Sequence, residues 1–394
     1  MMTNLSRRTL LAGSLALGAS GLALPRMAFA QGAGTRNLLF VLLRGAADGM
    51  AMLAPVGDPG FAALRGATLP DYDGAARLDS FFAVHPALAE IGKAATSGEA
   101  LFVHAAATAY RERSHFDAQN LLETGGTAPY AVRDGWLNRL AGLMNEQTRG
   151  GPVRALAIAP TVPLMLRGDA PVSNYAPSAL PEASEDLIAR VSQLYGADAE
   201  LGSLWARALE TRAMAADDGL SNLRDASAAG ELAASLMRGG DGARIAMIEL
   251  GGWDTHANQR GAFARQARGL DALIAAYRTA MGDAWRDTLV LVATEFGRTA
   301  RMNGTGGTDH GTAGAAIVLG GGVRGEAKGG RVIADWPGLG DKQLFETRDL
   351  APTTALESVL AGAVAEHLRL DPATTMARLF PGRAAPPLTG IMRS

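Results

Sequence analysis

The sequence predicts an α/β fold in which helices cover both faces of a mostly parallel sheet. Three observations point to this class. Short apolar runs alternate along the chain with longer segments of helical periodicity. These runs are nearly continuous in apolar residues, as is typical of strands that are buried on both faces. The 394 residues are 48% hydrophobic and 19% charged, which suits a large core.

Residues 1–30 have the features of a twin-arginine export signal. Arg7 and Arg8 precede an apolar run from about Leu10 to Leu24, and Ala28-Phe29-Ala30 is a small-x-small cleavage pattern. The alternative is an uncleaved anchor, but the run is short for a membrane span, which needs about 20 residues. We therefore expect the twin-arginine machinery to export a periplasmic or secreted protein that has no stable membrane anchor.

Six apolar runs are the predicted strands, and seven segments are predicted helices. The strands cover 37–43, 100–105, 154–159, 244–250, 288–296 and 314–321. The helices cover 115–123, 136–147, 183–195, 197–217, 222–238, 258–283 and 353–368. The proline-containing stretch 160–182 has little periodicity and is predicted to be a surface loop. The helical segment 183–240 could be an insertion into a single domain that covers residues 31–394.

Charge and cysteine content exclude several classes of function. The net charge of -2 gives no signature of nucleic-acid binding. The chain has no cysteine, which excludes disulfides, thiolate metal ligands, a cysteine nucleophile and a cysteine-derived formylglycine.

Polar residues are concentrated just after the predicted strands, where ligands bind in open α/β sheets. The stretch ELGGWDTHANQ, residues 249–259, follows the fourth strand. In an extended segment Asp254 and His256 project to the same side, so they could share one ion. Carboxylate oxygen with imidazole nitrogen suits zinc, manganese or iron, whereas an all-oxygen site favours magnesium or calcium. The alternative is that Asp254 caps the next helix and His256 is an ordinary surface residue.

Two segments after the fifth strand could contribute to the same site. In GTDHG the flanking glycines allow an irregular turn that would aim Asp309 and His310 inward, although a structural aspartate turn is the alternative. In TEFGRT, Glu295 and Arg298 could form an ion pair, or Arg298 could bind an anionic oxygen bidentately.

The segment SHFDAQ contains the candidate nucleophile. Ser114 lies at the predicted start of a helix, where backbone amides stabilise developing negative charge. A metal or a base would still have to activate its hydroxyl. Ser114 and Asp117 also fit a variant of the capping box, which is the structural alternative. Arg113 and His115, together with Arg44 after the first strand, are predicted to contact an anionic substrate.

Together these motifs resemble the exported bacterial family called domain of unknown function 1501, a sulfatase-like group within the alkaline phosphatase superfamily. The motifs span nearly all of the mature chain and are LLRGAADGM, SHFDAQNLLETG, ELGGWDTHANQ, TEFGRT with NGTGGTDHG, and RDLAPTT followed by LFPG. The resemblance implies an alkaline phosphatase-like fold, with its mostly parallel sheet between helices and a helical insertion. It also implies two divalent metals beside a serine, threonine or formylglycine nucleophile.

The resemblance assigns roles to individual residues. Asp254, His256 and His310 resemble the ligands of one metal, and Glu249 resembles a glutamate that serves an auxiliary magnesium. Asp309, Glu295 and Asp48 are further candidate ligands. Two positions depart from the family pattern. Arg44 stands where the first strand normally ends in a metal-binding aspartate, and Glu295-Phe296 replaces an Asp-His pair, so the second metal site is altered or lost.

The sequence therefore predicts an exported, metal-dependent hydrolase of a small phosphate or sulfate ester. Zinc is the first choice of metal, with manganese, magnesium or calcium as alternatives. Ser114 would be the nucleophile or a substrate contact, supported by Arg298 and Glu295. The competing hypothesis is a non-catalytic exported protein that retains the fold and one metal. A metal-free serine hydrolase ranks third, because the chain has no GxSxG motif.

Overall fold

One large sheet dominates the described part of the chain, which comprises residues 36–147, 153–177, 185–196, 198–215, 225–326 and 330–393 of a computed structural model. The predicted export signal, residues 1–30, lies outside this part. The strands are β1 (Asn37–Leu43), β2 (Leu53–Ala54), β3 (Ala83–Val84), β4 (Ala100–Ala107), β5 (Ala155–Ile158), β6 (Val172–Tyr175), β7 (Ile245–Leu250), β8 (Thr288–Ala293), β9 (Gly314–Leu319), β10 (Val332–Ile333) and β11 (Thr354–Ala355). β2 and β3 form a separate antiparallel pair.

The sheet has the order β10-β4-β9-β8-β1-β7-β5-β6, and β11 pairs with β4. β1 is parallel to both of its neighbours, with Leu38 in register with Ile245 on one side and Leu289 on the other. β9 is antiparallel to β4 and β8. Because β9 runs the other way, its first residue lies at the sheet edge where β1, β7 and β8 end.

Helices lie between these strands along the chain. They are α1 (Gly49–Met52), α2 (Pro59–Arg65), α3 (Ala89–Thr96), α4 (His115–Thr124), α5 (Trp136–Gln147), α6 (Glu185–Gly196), α7 (Ala199–Ala215), α8 (Ala226–Met237), α9 (Gln259–Met281), α10 (Leu356–Leu368) and α11 (Pro372–Leu379). None of the helices in the described ranges is long and apolar enough to cross a membrane.

Strand β1 shows how the two faces of the sheet are covered. Leu39 and Val41 point to one face and pack in a cluster with side chains of α3, α8 and α9. Leu38 and Phe40 point to the other face and pack with side chains of α5, α10 and α11. Alternate residues of a strand point to opposite faces, so an all-apolar strand needs helices on both. Burial of each such side chain contributes about 1.5–3 kcal/mol. The predicted α/β class, with a mostly parallel sheet between helices, is confirmed.

Two predictions about the middle of the chain need correction. The stretch 160–182 was predicted to be a loop, but it contains a short 3-10 helix at Leu164–Leu166 and the edge strand β6. β6 is polar and only half-buried, so it lacks the apolar signature of the inner strands. In the predicted insertion, α8 is not peripheral, because its apolar side chains are part of the core on the α9 face. Helices α6 and α7 are more exposed, and Trp205 donates a hydrogen bond across them to Ser192 (2.7 Å).

Candidate metal centre

Four side chains from three segments converge at the edge where β1, β7 and β8 end. His115 is the first residue of α4, and Asp254 and His256 lie in the turn between β7 and α9. His310 lies in the loop that leads into β9, which the antiparallel direction of that strand brings to this edge. These four residues are called the centre below.

The ligand atoms of the centre are in mutual contact. The Nε2 atom of His310 lies 3.0 Å from Nε2 of His115 and 3.1 Å from Nε2 of His256. The carboxylate of Asp254 completes the group. Its Oδ1 lies 3.0 Å from His256 Nε2 and 3.2 Å from His310 Nε2, and its Oδ2 lies 3.4 Å from His115 Nε2.

These separations fit a single ion. Zinc binds imidazole nitrogen and carboxylate oxygen at about 2.0–2.2 Å, which places the ligand atoms of a tetrahedral site about 3.3 Å apart. His115, Asp254 and His310 form a compact triad whose ligand atoms all lie within 4.8 Å of one another. His256 extends this triad through its contacts with Asp254 and His310. The donor set of nitrogen and carboxylate oxygen suits zinc and related transition metals better than magnesium or calcium.

Each imidazole of the centre has an acceptor at its other nitrogen. Nδ1 of His115 lies 2.8 Å from Glu295 Oε1, and Nδ1 of His256 lies 3.1 Å from Asp309 Oδ1. Nδ1 of His310 lies 3.0 Å from the carbonyl oxygen of Arg113, a residue with a positive φ of 60°. An imidazole that donates from Nδ1 presents its lone pair at Nε2, and this arrangement is usual for metal-binding histidines. Three lone pairs are therefore directed into one small space.

The charges around the centre favour forms that can bind a cation. Burial opposes ionisation of Asp254, but the hydrogen bond and charge of Arg298 outweigh it and hold the pKa of this carboxyl below its ordinary value. Burial, together with the charge of His115, lowers the pKa of His310, which leaves its Nε2 unprotonated near neutral pH. The hydrogen bond to Glu295 raises the pKa of His115. A proton therefore competes with a metal more strongly at His115 than at His310.

Arg298 contacts Asp254 of the centre from the protein interior and does not face solvent. Its side chain is fully buried, donates from Nη1 to Asp254 Oδ1 (2.5 Å), and donates from Nε to Thr308 Oγ1 (3.1 Å). The third guanidinium nitrogen, Nη2, donates to the carbonyl oxygen of Thr308. Arg298 was predicted to be catalytic. Its burial instead makes it a positioning residue that fixes the orientation of Asp254.

Two packing features hold the loops of the centre in place. Phe296 is buried and contacts both His115 and His310, with ring centroids 4.9 and 5.3 Å apart. Gly45 has a φ of +114°, and a Cβ added there would lie 2.8 Å from the backbone nitrogen of Asp254. This glycine therefore lets the chain after β1 approach the Asp254 turn closely.

Two predicted metal ligands contact the Nδ1 atoms of histidines of the centre, on the side away from Nε2. Glu295 is fully buried and accepts from His115, from the backbone nitrogen of Gly45 (2.9 Å) and from Gln119 (3.0 Å). Asp309 accepts from His256 and from Asn303 (3.1 Å). Both carboxylates therefore orient an imidazole in this structure, where they had been predicted as direct metal ligands.

Glu249 and Asp48, also predicted as metal ligands, are paired with arginines. Glu249 Oε1 accepts from Arg44 Nη2 (2.7 Å), which also donates to Glu123 (3.0 Å). Asp48 is fully buried and forms an ion pair with the equally buried Arg65 (2.8 Å). The Arg44 guanidinium is thus held by carboxylates, which corrects its assignment to substrate binding.

The residues around the start of α4 also make contacts that differ from those predicted. The Arg113 guanidinium donates to Asp349 Oδ2 (2.9 Å) and pairs with Glu346, so it is not free for a substrate. His115 belongs to the centre and was predicted only as a substrate contact. Ser114 is the N-cap residue of α4, but its side chain makes no capping hydrogen bond, so the capping box is not formed.

Three supporting residues escaped the sequence analysis. Gln119 lies one helical turn after His115 and donates to the same glutamate, a spacing of four that places both on one helix face. Asn303 donates to Asp309 and to the carbonyl oxygen of His256 (2.9 Å). Arg348 donates to the carbonyl oxygen of His310 (2.8 Å) and is 40% exposed, which makes it a cation at the rim of the centre. Nothing in the local sequence of Asn303 or Arg348 marked these contacts.

Comparisons with known proteins identify a family and two distant structural likenesses. Residues 104–380, more than half of the chain, match the family described as "Protein of unknown function (DUF1501)". A search of curated proteins found no match. The chain is distantly similar to Ps i-CgsB in complex with k-i-k-neocarrahexaose, at 10% identity over 85% of this chain and 72% of that one, with a TM-score of 0.39. It is also similar to the phosphonate monoester hydrolase of Agrobacterium radiobacter, at 15% identity over 78% and 73% of the two chains, with a TM-score of 0.26.

Proposed function

This chain belongs to the DUF1501 family, and from the chemistry of its centre we propose that it is an exported, metal-dependent hydrolase of phosphate or sulfate esters. Its fold would then be that of the alkaline phosphatase superfamily, which the sequence resembles. Export through the twin-arginine route is part of the proposal and rests on the sequence of residues 1–30.

One observation supports the proposal that the centre binds a metal. His310 Nε2 lies within 3.1 Å of two other imidazole nitrogens, yet an imidazole nitrogen has only one lone pair or one proton to offer. It cannot satisfy both neighbours by hydrogen bonding, and Nδ1 of each ring already faces an acceptor. A divalent cation at the common point satisfies all three nitrogens and Asp254 at once.

The centre is open enough for a substrate. The side chains of His256 and Asp254 are 47% and 40% exposed, so a small substrate can reach the centre from solvent. A divalent ion held there would act as a Lewis acid toward an ester oxygen and neutralise developing negative charge. His115, Asp254, His256 and His310 would hold it, and Glu295, Asp309 and Arg298 would keep those ligands in place.

Two features of the chain favour an anionic ester. Ser114 lies at the N-terminus of α4, where backbone amides favour negative charge, and its hydroxyl is not used in capping. It adjoins His115 in sequence and hydrogen bonds with Tyr110, so it is the candidate nucleophile or substrate contact. The exposed part of Arg348 supplies a positive charge at the rim of the centre.

The test combines metal analysis with generic substrates. The purified chain should contain one equivalent of metal, mainly zinc, and should hydrolyse 4-nitrophenyl phosphate, bis(4-nitrophenyl) phosphate or 4-nitrophenyl sulfate. His256→Ala should lower both metal content and hydrolysis, and Ser114→Ala should lower hydrolysis while metal is retained. If the wild-type chain binds no metal, or if hydrolysis is unchanged in His256→Ala, the proposed function is wrong.

A non-catalytic metal-binding protein is the second candidate. The observation that favours it is the Arg44 guanidinium, which is bound to Glu123 and Glu249 where the resemblance would place a ligand of a second metal. Bound metal together with no hydrolysis of any of the three substrates would support this candidate over the hydrolase.

A further inference from the structure

A cavity of about 340 Å³ lies at the end of β4, and none of the side chains of the centre lines it. Its walls come from the end of β4 with the following loop, from β11 and the start of α10, from α11, and from the segment after α11. The charged lining residues are Arg111, Glu357 and Arg383. Most of the other lining side chains are small, and this leaves the cavity unfilled. The three charged residues surround it.

Arg383 and Glu357 are buried in the wall with unsatisfied polar atoms. Their side chains are 10% and 7% exposed. Nη2 of Arg383 donates to the carbonyl oxygen of Gly126 (2.6 Å), but its Nε has no hydrogen-bond partner. Oε1 of Glu357 lies 3.2 Å from Arg383 Nη2 without hydrogen-bond geometry, so it too lacks a hydrogen-bond partner. Burial of a polar atom without a partner is unfavourable, so each such atom in a folded protein calls for an explanation such as a bound ion.

Arg111 adds a second guanidinium to the wall. One of its nitrogens, Nη1, donates to the carbonyl oxygens of Thr108 and Tyr110. Burial lowers the pKa of Arg111, and the like charges of Arg113 and Arg383 lower it further, while Glu357 opposes the shift. Two cations and one carboxylate therefore share the cavity, which leaves an excess of positive charge.

The start of α10 adds to this positive potential. α10 has 13 residues, and its N-cap, Ala355, has no side chain that could accept from the first amide groups. Ala355 and Glu357 both line the cavity. The backbone amides and the dipole at the start of such a helix favour an anion.

We propose that this cavity binds free inorganic phosphate as the hydrogen phosphate ion. Arg111, Arg383 and the start of α10 would donate to its oxygens, and Glu357 would accept the hydrogen bond of its P–OH group. This proposal stands apart from the proposed function, because it involves no residue of the centre.

The buried carboxylate makes the site selective. Hydrogen phosphate can donate a proton to Glu357, whereas sulfate has no proton near neutral pH and would be repelled by this carboxylate. A site that provides an acceptor rejects an anion that cannot donate, because a buried group is then left unpaired.

Calorimetric titration of the full chain tests the proposal with inorganic phosphate, inorganic sulfate and phenyl phosphate at pH 7.5. We expect phosphate to bind at least about ten-fold more tightly than sulfate. Arg111→Gln should weaken phosphate binding by about ten-fold or more, because a charged donor is lost. Glu357→Gln should reduce the preference for phosphate over sulfate to less than about three-fold. Arg286→Gln, an exposed arginine before β8, is the matched control and should leave binding unchanged.

His310→Ala separates this site from the centre. Phosphate binding that persists in His310→Ala and is weakened in Arg111→Gln supports the cavity. Binding that disappears in His310→Ala and is unchanged in Arg111→Gln overturns the proposal, as does equal affinity for phosphate and sulfate in the wild-type chain. Unfolding temperatures without ligand verify that each variant is folded. Phenyl phosphate is mostly a dianion without a P–OH group at pH 7.5, so we expect it to bind as weakly as sulfate. Binding of phenyl phosphate as tight as that of inorganic phosphate would overturn the proposal.

Discussion

Nε2 of His310 lies 3.0 Å from Nε2 of His115, and the two residues are 195 positions apart in the sequence. His310 also lies 3.1 Å from His256, so it is the histidine that the other two share. We expect His310→Ala to reduce metal affinity by more than about 100-fold, since loss of a ligand is more severe than the 10- to 100-fold cost of an outer contact. Plasma mass spectrometry after dialysis measures the loss. Asp283→Asn, an exposed change far from the ligand set, is the control.

Glu295→Gln should weaken metal binding by about 10- to 100-fold, because Glu295 accepts from His115 Nδ1 and increases the basicity of its Nε2. Competition with a chromophoric chelator measures the affinity. Glu249→Gln is the matched control, since Glu249 pairs with Arg44 and not with an imidazole of the centre. The metal affinity of this variant should stay within about three-fold of the wild-type value. Equal losses in the two variants would mean that Glu249 is a ligand after all.

Gly45→Ala should weaken metal binding and destabilise the fold. The new Cβ would lie 2.8 Å from the backbone nitrogen of Asp254, and the φ of +114° is unfavourable for alanine, so a loss of about 1–3 kcal/mol is expected. Gly251→Ala in the Asp254 turn is the control, because a Cβ there meets nothing within 4 Å. Urea unfolding and metal titration of both variants provide the comparison. Similar unfolding free energies and metal affinities for the two variants would show that the close approach at Gly45 is unimportant.

Arg65→Met should destabilise the protein by about 3–5 kcal/mol, because it leaves the buried carboxylate of Asp48 without its partner. The double variant with Asp48→Asn should be more stable than Arg65→Met alone. Metal content should be unchanged in all of these variants, because Asp48 is not part of the centre. Metal loss in Asp48→Asn with a folded chain would restore Asp48 as a candidate ligand.

Buried histidines outside the centre predict acid sensitivity. Burial lowers the pKa of His104 to about 4 and that of His367 to about 3, from an ordinary value of 6.5. Between pH 6.5 and these values the unfolded chain binds more protons than the folded one. Stability is therefore complete above pH 6.5 and falls as the pH decreases, with a slope of up to about 1.4 kcal/mol per pH unit for each histidine.

Urea unfolding at several pH values tests this dependence, with EDTA present so that metal binding does not contribute. His367→Gln can still donate to the carbonyl oxygen of Asn37, as His367 Nε2 does at 3.0 Å, but it does not titrate. Its slope between pH 6.5 and 4 should be smaller than that of wild type. An unchanged slope would show that His367 does not remain neutral in the folded chain.

The inner strands were predictable because they carry a strong local signal. β1, for example, is apolar from Leu38 to Leu43 and its observed bounds match the prediction, since burial on both faces favours a continuous apolar run. β6 and helices α1 to α3 escaped detection for the opposite reason. They are only four to eight residues long, and their contacts are made with distant parts of the chain.

The sequence predicted which residues belong to the candidate site better than it predicted the role of each residue. Strand ends marked Asp254, His256 and His310, because parallel strands bring their carboxyl ends to one edge. Whether a carboxylate contacts an ion or an imidazole depends on displacements of a few ångströms, which spacing does not encode. The sequence therefore predicted Glu295 and Asp309 as ligands, whereas in the structure they accept from imidazoles, and it predicted His115 as a substrate contact, whereas His115 lies in the centre.

The chain has no cysteine, so no disulfide can join its distant segments. A metal in the centre would do so, because its ligands come from three segments that are separated by up to 195 residues. Closing loops of that length by a cross-link disfavours the unfolded chain, as disulfides do in secreted proteins. If the chain is exported as proposed, its resistance to proteases would then depend on metal supply, and a chelator would shorten its lifetime as a reductant shortens that of a disulfide-bonded protein.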